Sequence, residues 1–485
     1  MKQHAIFLRQ MRARVMTMVN TNTQRETTCV SQVARSSGEV IKKTAAAALT
    51  LALLPTAAIA APNNDNAVVR VINAQERQRM ADYVAKHVSP RDIVSSFTTR
   101  TGDVVDCVDI YAQPALKQPG MEHHVVEFAP KTFPEAANKL ASESPDDRDP
   151  NDAFTGKGVG TEPTTIGNPN EQCPKGFVPI RRLTLDTLQR FETLDEFRKK
   201  VPNHIGQVRD FDLDDAGDEQ QPAIDMALPQ EGATNLHQYA HAYRYVNNWG
   251  AESVINLWNP YTQRSNEFSL SQIWVVRGSG SDRETVEVGW QKYRDLYGDW
   301  RARLFIYFTP DNYGSGGCYN LTCGAFVQTN NTVYIGGAFS EYSQVGGAQK
   351  AIKLLWYKDG TTGHWWLRYG DTWVGYYPRT RFDSNGLRNY GAKIDFGGEI
   401  IDRQTNGRHT YTDMGSGRWP SAGFGYAAYH RALKYVDTSN YYRNASSLNA
   451  TRTDLDCYDI SLRSSSGSWG NYFYFGGPGY NSSCE

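Results

Sequence analysis

The chain has 485 residues and a formal net charge of −1. That length supports two or three domains, and the even charge balance excludes a broad nucleic-acid footprint. The 28 Tyr, 19 Phe, 11 Trp and 42 Gly favour an all-β protein with many turns and aromatic-lined surfaces. Lys42-Lys43, the apolar run Thr44 to Ile59 and Ala58-Ile59-Ala60 before Ala61 read as a secretory signal peptide with a long leader. A start at Met16 or Met18 would shorten that leader. The run is too short for a stable membrane span, so residues 1–60 are expected to be removed and the protein to be secreted, extracellular or periplasmic. Residues 75–86 carry apolar positions at helical spacing, and 103–128 hold short β-like runs. Residues 140–172 are a Ser-, Pro-, Asp-, Asn- and Gly-rich loop, and Thr184 to Lys200 returns to a helical pattern. Asp210 to Glu231 is acidic and poor in apolar residues, which predicts an exposed, protease-sensitive connector.

From about Gly232 the texture changes to alternating runs separated by turn signals. They are Ser269 to Arg277, Thr285 to Tyr293, Arg301 to Thr309, Ala325 to Phe339, Ala351 to Tyr357 and Trp365 to Tyr369. Short strands at this spacing predict an antiparallel β-sandwich or barrel. Six cysteines follow the expected cleavage site, and an even number in a secreted chain reads as three disulfides. Fifteen pairings exist for six cysteines. Cys318 with Cys323, Cys457 with Cys484 and Cys107 with Cys173 are the expected ones.

The chemistry inventory is narrow. The sequence has no G-x-S-x-G elbow, no H-E-x-x-H helix and no P-loop. His237 and His241 have the spacing of a zincin helix, but Gln238 stands where the general-base Glu would be. What remains is a pair of carboxylates, Glu287 in Thr285-Val-Glu-Val-Gly-Trp290 and Glu399 in Asp395-Phe-Gly-Gly-Glu-Ile400. Period-2 alternation puts Val286, Val288 and Trp290 on one face and Glu287 on the other. It likewise separates Ile394, Phe396 and Ile400 from Asp395 and Glu399. Such a placement suits either a cleft floor or a solvated face.

Several segments resemble the neprosin family. Cys173-Pro-Lys-Gly-Phe-Val-Pro-Ile-Arg-Arg182 resembles its C-P-x-G-x-V/I-P-I-R-R signature, and Val105 to Ala115 resembles its activation-segment motif. Glu267 to Trp274, Glu287-Val-Gly-Trp290, Tyr297-Gly-Asp299, Gly317 to Gln328, Gly398-Glu399 and Asp413 to Arg418 follow in the family's order. Val288 stands where the family often has Ala, and Phe396 where Trp is usual.

The resemblance implies a secreted glutamic-type endopeptidase that cleaves after proline. It implies a zymogen with a mixed α+β activation domain at 61–208, a linker at 209–231 and a catalytic antiparallel β-sandwich at 232–485. Glu287 and Glu399 take the positions of the family's two catalytic glutamates. Pro222 and Pro229 in the linker are candidate sites of acid-triggered self-cleavage, the alternative being cleavage in trans by another protease at the same exposed connector. No cofactor and no metal is implied. The expected partners are proline-containing peptides and proteins as substrate and the chain's own propeptide as inhibitor, with a monomer as the working unit and no nucleic acid. Two other readings use the same features: a two-carboxylate glycoside hydrolase and a non-catalytic carbohydrate- or wall-binding sandwich.

Overall fold

The computed structural model describes residues 70–136, 161–163, 171–200, 236–404 and 407–485. The expected signal peptide, most of the 140–172 loop and the acidic connector with Pro222 and Pro229 lie outside the described residues. Helix α1 spans Ala74–His87, and its N-cap Asn73 accepts the Glu76 N–H at 2.8 Å. Strands β1 (Ile93–Thr98) and β2 (Val104–Asp109) follow, then the short β3 (Glu135–Ala136), β4 (Thr161–Pro163) and β5 (Phe177–Arg181). β1, β2 and β5 form an antiparallel sheet in the order β1-β2-β5. A Cys107–Cys173 disulfide ties β2 to the segment that enters β5. The helical pattern over Thr184 to Lys200 becomes two short helices, α2 (Leu185–Leu188) and α3 (Leu194–Arg198). The side chains of Thr184 and Thr193 cap their first turns.

The larger half is antiparallel β-structure. Its elements in order are β6 (Leu236–Asn256), β7 (Phe268–Arg277), β8 (Glu284–Tyr293), helix α4 (Arg294–Tyr297), β9 (Ala302–Thr309) and β10 (Cys318–Tyr319). Then come β11 (Val327–Gln328), β12 (Gln349–Lys358), β13 (Trp365–Tyr369), β14 (Thr372–Tyr377) and β15 (Gly391–Asp402). The chain ends with β16 (Ala428–Asp437), β17 (Tyr441–Asn444), β18 (Asn449–Arg452), β19 (Asp459–Ser464) and β20 (Asn471–Gly476). One sheet runs β18-β6-β15-β7-β8-β9-β10. The other runs β11-β14-β13-β12-β6-β16-β20-β19.

Strand β6 belongs to both sheets. Its first part pairs with β15 and its last part with β12. At Gly250 φ is +140°, and a Cβ there would sit 1.9 Å from the Trp356 carbonyl oxygen. Glycine therefore lets the strand cross from one sheet to the other. The alternating run expected over Ala325 to Phe339 is mostly turn. Only Val327–Gln328 pairs as strand. Beyond it, Asn330 Oδ1 accepts the N–H groups of Thr332 and Val333, which bends the chain.

The core between the sheets contains Val286, Val288, Trp290, Ile394, Phe396 and Ile400, all fully buried. The opposite face of the first sheet is the one that positions the site. There Leu270, Trp274, Phe305 and Tyr307 pack against Leu188, Phe191, Leu194 and Phe197 of the activation region. Burying each of those phenylalanines contributes roughly 1.5–3 kcal/mol. Two short pairings extend the contact: β4 runs parallel to the start of β12, and β3 parallel to β17. A buried ion pair adds to it. Arg303 of β9 donates to Asp103 at 2.6 Å, and Arg181 donates to the same carboxylate at 2.8 Å.

Candidate functional site

Glu287 lies on β8 and Glu399 on β15, with β7 between them. In the ladder Glu399 pairs with Leu270 and Glu287 with Trp274. Paired residues share a face, so both carboxylates rise from the same side of the sheet. That side is not solvated: Glu287 is 0 % and Glu399 1 % exposed. The activation region covers it.

One atom joins the two glutamates. Lys200, two residues beyond α3, places its Nζ 2.7 Å from Glu287 Oε2 and 2.6 Å from Glu399 Oε2. The two oxygens therefore lie no farther apart than the sum of those contacts, 5.3 Å. The Lys200 backbone N–H donates to Tyr307 Oη at 3.3 Å, and its ammonium stands 5.4 Å from the Trp274 ring centre. Burial works against the charge of Lys200, but the two carboxylates outweigh it and hold the ammonium above its ordinary pKa.

The remaining oxygens are held separately. Glu287 Oε1 accepts from Tyr313 Oη at 2.7 Å and from Thr285 Oγ1 at 2.9 Å. Glu399 Oε1 meets His237 Nδ1 at 2.6 Å. Gln272 Nε2 donates to Glu399 Oε2 at 3.3 Å, and Tyr239 also hydrogen-bonds Glu399. Each carboxylate is thus held through Oε1, Glu399 also by Gln272 on Oε2, while both Oε2 atoms meet at the shared position. Burial pushes the Glu399 carboxyl up, but Lys200 and His237 overcome that and hold it below the usual range. Tyr313 reaches the site from a tight loop in which Asn312 and Tyr313 have φ of +51° and +58°. The Thr309 hydroxyl and Asp311 carboxylate accept N–H groups of that loop and fix it.

An ammonium nitrogen and a water oxygen are close in size and both donate hydrogen bonds. A water in the place of Nζ would lie within hydrogen-bond reach of both carboxylates. That is the arrangement needed to take a proton from water with one carboxylate and to polarise a carbonyl with the other.

The two glutamates singled out in the sequence come together here. Sequence reasoning missed Lys200, Thr285, Tyr313 and Gln272. His237 and His241 have helical spacing in the sequence, but they stand on strand β6, where residues four apart also share a face. Each meets a carboxylate of β15: His237 meets Glu399, and His241 meets Asp395. The described disulfides are Cys107–Cys173, Cys318–Cys323 and Cys457–Cys484. His409, Cys457 and Cys484 cluster closely enough to suggest metal ligation, but both sulfurs are spent in the disulfide.

Residues 265–478 match the Neprosin family model, and residues 96–243 match the model of the Neprosin activation peptide. Among solved structures, a scytalido-glutamic peptidase bound to a peptide-based transition-state analog is similar at 12 % identity and a TM-score of 0.28. The match covers 50 % of this chain and 98 % of that one. SCP-B, a member of the eqolisin family of peptidases in complex with the tripeptide Ala-Ile-His, matches at 9 % identity and a TM-score of 0.27. It covers the same shares of the two chains. CG-16, a homodimeric agglutinin from chicken liver, matches at 9 % identity and a TM-score of 0.18, covering 35 % of this chain and 98 % of its own.

Proposed function

The chain belongs to the neprosin family, and from that premise we propose that it is a glutamic-type endopeptidase, secreted as a latent precursor, that cleaves after proline. Glu287 and Glu399 are its catalytic pair. The observation that carries this reading is the convergence of two buried carboxylates on one nitrogen-sized position.

The roles follow from the contacts. Glu399 touches His237 and an amide donor, which favour its anion, so it takes the proton from the attacking water. With Lys200 gone, Glu287 keeps only hydroxyl donors on Oε1. It carries the proton that polarises the scissile carbonyl and then passes to the leaving amine. Two carboxylates this close titrate as a pair, and the state with one proton between them is an acidic one. The aromatic floor of Tyr239, Trp274, Tyr307 and Tyr313 supplies apolar faces of the kind a proline ring would pack on. The signal-like N-terminus and three disulfides support export.

Latency in this reading is occupation of the site. Lys200 fills the water position, and the apolar side chains of α2 and α3 cover the floor. Acid releases it by placing one proton on the carboxylate pair, which Glu287 carries in the working state, and the connector is cut at Pro222 or Pro229. The test is a cleavage-site survey of a proteome digest at about pH 3 with the acid-incubated full chain, Glu287→Gln and Glu399→Gln. Cuts after proline that vanish in both variants are expected, with unchanged folding by circular dichroism. Persistent cleavage in either folded variant removes the pair from the mechanism.

A further inference from the structure

His237 falls within the last residues of the activation-peptide match, 96–243, but it lies after the proposed cuts at Pro222 and Pro229, and apart from Lys200 it is the one partner of the glutamate pair that is able to carry positive charge. It comes from β6, and its Nδ1 lies 2.6 Å from Glu399 Oε1. Lys200 engages the other oxygen, Oε2. Among the described residues these are the only side chains able to carry positive charge that touch Glu399. When the segment before the proposed cut at Pro222 or Pro229 leaves, Lys200 leaves with it and His237, on β6, stays.

A second histidine in the same half gives the contrast. His430 is held at both nitrogens by neutral hydroxyls, Ser253 at 3.0 Å and Ser271 at 2.7 Å, and burial pushes it down to about 3. That is a structural histidine kept uncharged. His237 is built differently. Its Nδ1 meets a carboxylate, and its Nε2 is buried without a hydrogen-bond partner among the described residues. The rings of Phe268 and Tyr239 pack around it at 5.7 and 6.3 Å between centroids, so its orientation is set by packing and by Glu399 alone. Other titratable groups also face Glu399. They are Lys200 from the activation region, Glu287 from β8, and the phenols of Tyr239, Tyr313 and Tyr319. Arg283 acts on Tyr239. With Lys200 gone, the nearest groups left around Glu399 apart from His237 are a second carboxyl and neutral phenols.

We propose that His237 is the positioning residue of the pair: through Oε1 it fixes the Glu399 carboxylate and keeps it anionic after Lys200 departs, so that Oε2 receives the proton of the attacking water. An Nδ1–H donated to Oε1 favours the ionised carboxylate over the protonated one. Two adjacent carboxyls without a cation would compete for the proton, and the base would be lost at a higher pH.

This rests on the peptidase reading, and the experiment separates the two. The full chain is incubated in acid until its peptidase activity is constant. The pH profile of kcat/KM is then recorded on a proline-containing peptide for wild type, His237→Asn, His237→Leu and Glu399→Gln. The acid limb of that profile reports the essential base of the free enzyme. His237→Asn keeps a neutral donor near the Nδ1 position and should move the acid limb up by about one pH unit, with KM unchanged. His237→Leu should move it at least as far and also lower the plateau. A merely structural histidine would lower the plateau and leave the limb in place, and a wild-type limb in His237→Asn overturns the proposal. Activity retained by Glu399→Gln overturns the peptidase reading and this inference with it. Should the variants fail to fold, the ring-proton NMR titration of His237 in the wild-type enzyme decides. The hydrogen-bonded Nδ1–H resonance of His237 must persist throughout the acid limb, and its loss there refutes the assignment.

Discussion

Replacing Lys200 with methionine in the precursor removes the charge that both glutamates touch and keeps a side chain of similar length. Withdrawing one member of a buried ion pair costs about 3–5 kcal/mol, and each 1.4 kcal/mol is a factor of ten. The activation region should then hold the cleft at least about a hundredfold less tightly near neutral pH. The pH dependence follows from Glu399. Burial raises its carboxyl, but Lys200 and His237 hold it below the ordinary value. A carboxylate depressed in the folded state adds stability that is complete above its ordinary pKa, about 4.3, and is lost as the pH falls through the lower folded value. The wild-type precursor should therefore stay closed until the pH drops below about 4.

Lys200→Met loses that window. Its two carboxylates, no more than 5.3 Å apart at Oε2, must share a proton, and one of them titrates upward. The midpoint of processing should move up by at least about one pH unit. The assay is precursor incubated across a series from about pH 7 to about pH 3, followed by gel densitometry and by hydrolysis of a proline-containing fluorogenic peptide. A variant whose midpoint and latent activity match wild type would refute the reasoning, because the lysine would then be a passenger in the cleft.

Two further predictions concern the rest of the contact with the activation region. Asp103 is buried with Arg303 and Arg181; burial raises its carboxyl, but the two guanidinium groups prevail and hold it low. Asp103→Asn should cost the precursor about 3–5 kcal/mol near neutral pH, read as a lower denaturation midpoint, whereas a loss under about 1 kcal/mol would mark the pair as no better than a surface bridge. His364 packs against His124 of the activation region at 5.5 Å between ring centres, and its Nδ1 accepts the Arg379 N–H at 3.1 Å. Burial first, then His124, pushes His364 from 6.5 down to about 4, with Arg379 and Lys358 adding to the effect and Asp359 opposing it. A histidine kept neutral in the fold loses stability as the pH falls from its ordinary pKa to its folded one, here up to about 3 kcal/mol. His364→Phe should therefore flatten the decline in precursor melting temperature between about pH 7 and about pH 4, and an unchanged slope would exclude His364 as a source of acid sensitivity.

The strands of the larger half were legible where one face is apolar and the other is not. Val286, Val288 and Trp290 against Glu287, and Ile394, Phe396 and Ile400 against Glu399, gave the faces that the core then occupies. Alternation could not say whether the second face is covered, because the cover comes from Phe191, Phe197 and Lys200, far away in sequence. Strand β6 was harder to read. Its inward positions include Ala240 and Ala242, while Tyr239, His241 and Tyr243 stand on the floor side, so the hydropathy contrast between faces is weak. The run Ala325 to Phe339 failed for the opposite reason. It is apolar enough for a strand, but Asn330 supplies a local acceptor that competes with the ladder. Lys200 has no local signature at all. A Lys-Lys pair after a short helix is ordinary, and its meaning comes only from the two carboxylates that fold around it.

Those carboxylates also link latency to chemistry. In the proposed mechanism the pair must hold one proton to work, and the ammonium of Lys200 is stable between them only while both are anionic. The same protonation that weakens the lysine contact therefore creates the working state. Without a further cation the process would overshoot, since a pair that accepts one proton readily is close to accepting a second. His237 on the far oxygen of Glu399 opposes that second proton. The lower pH limit of activity should accordingly be set by the histidine, and the upper limit of latency release by the lysine.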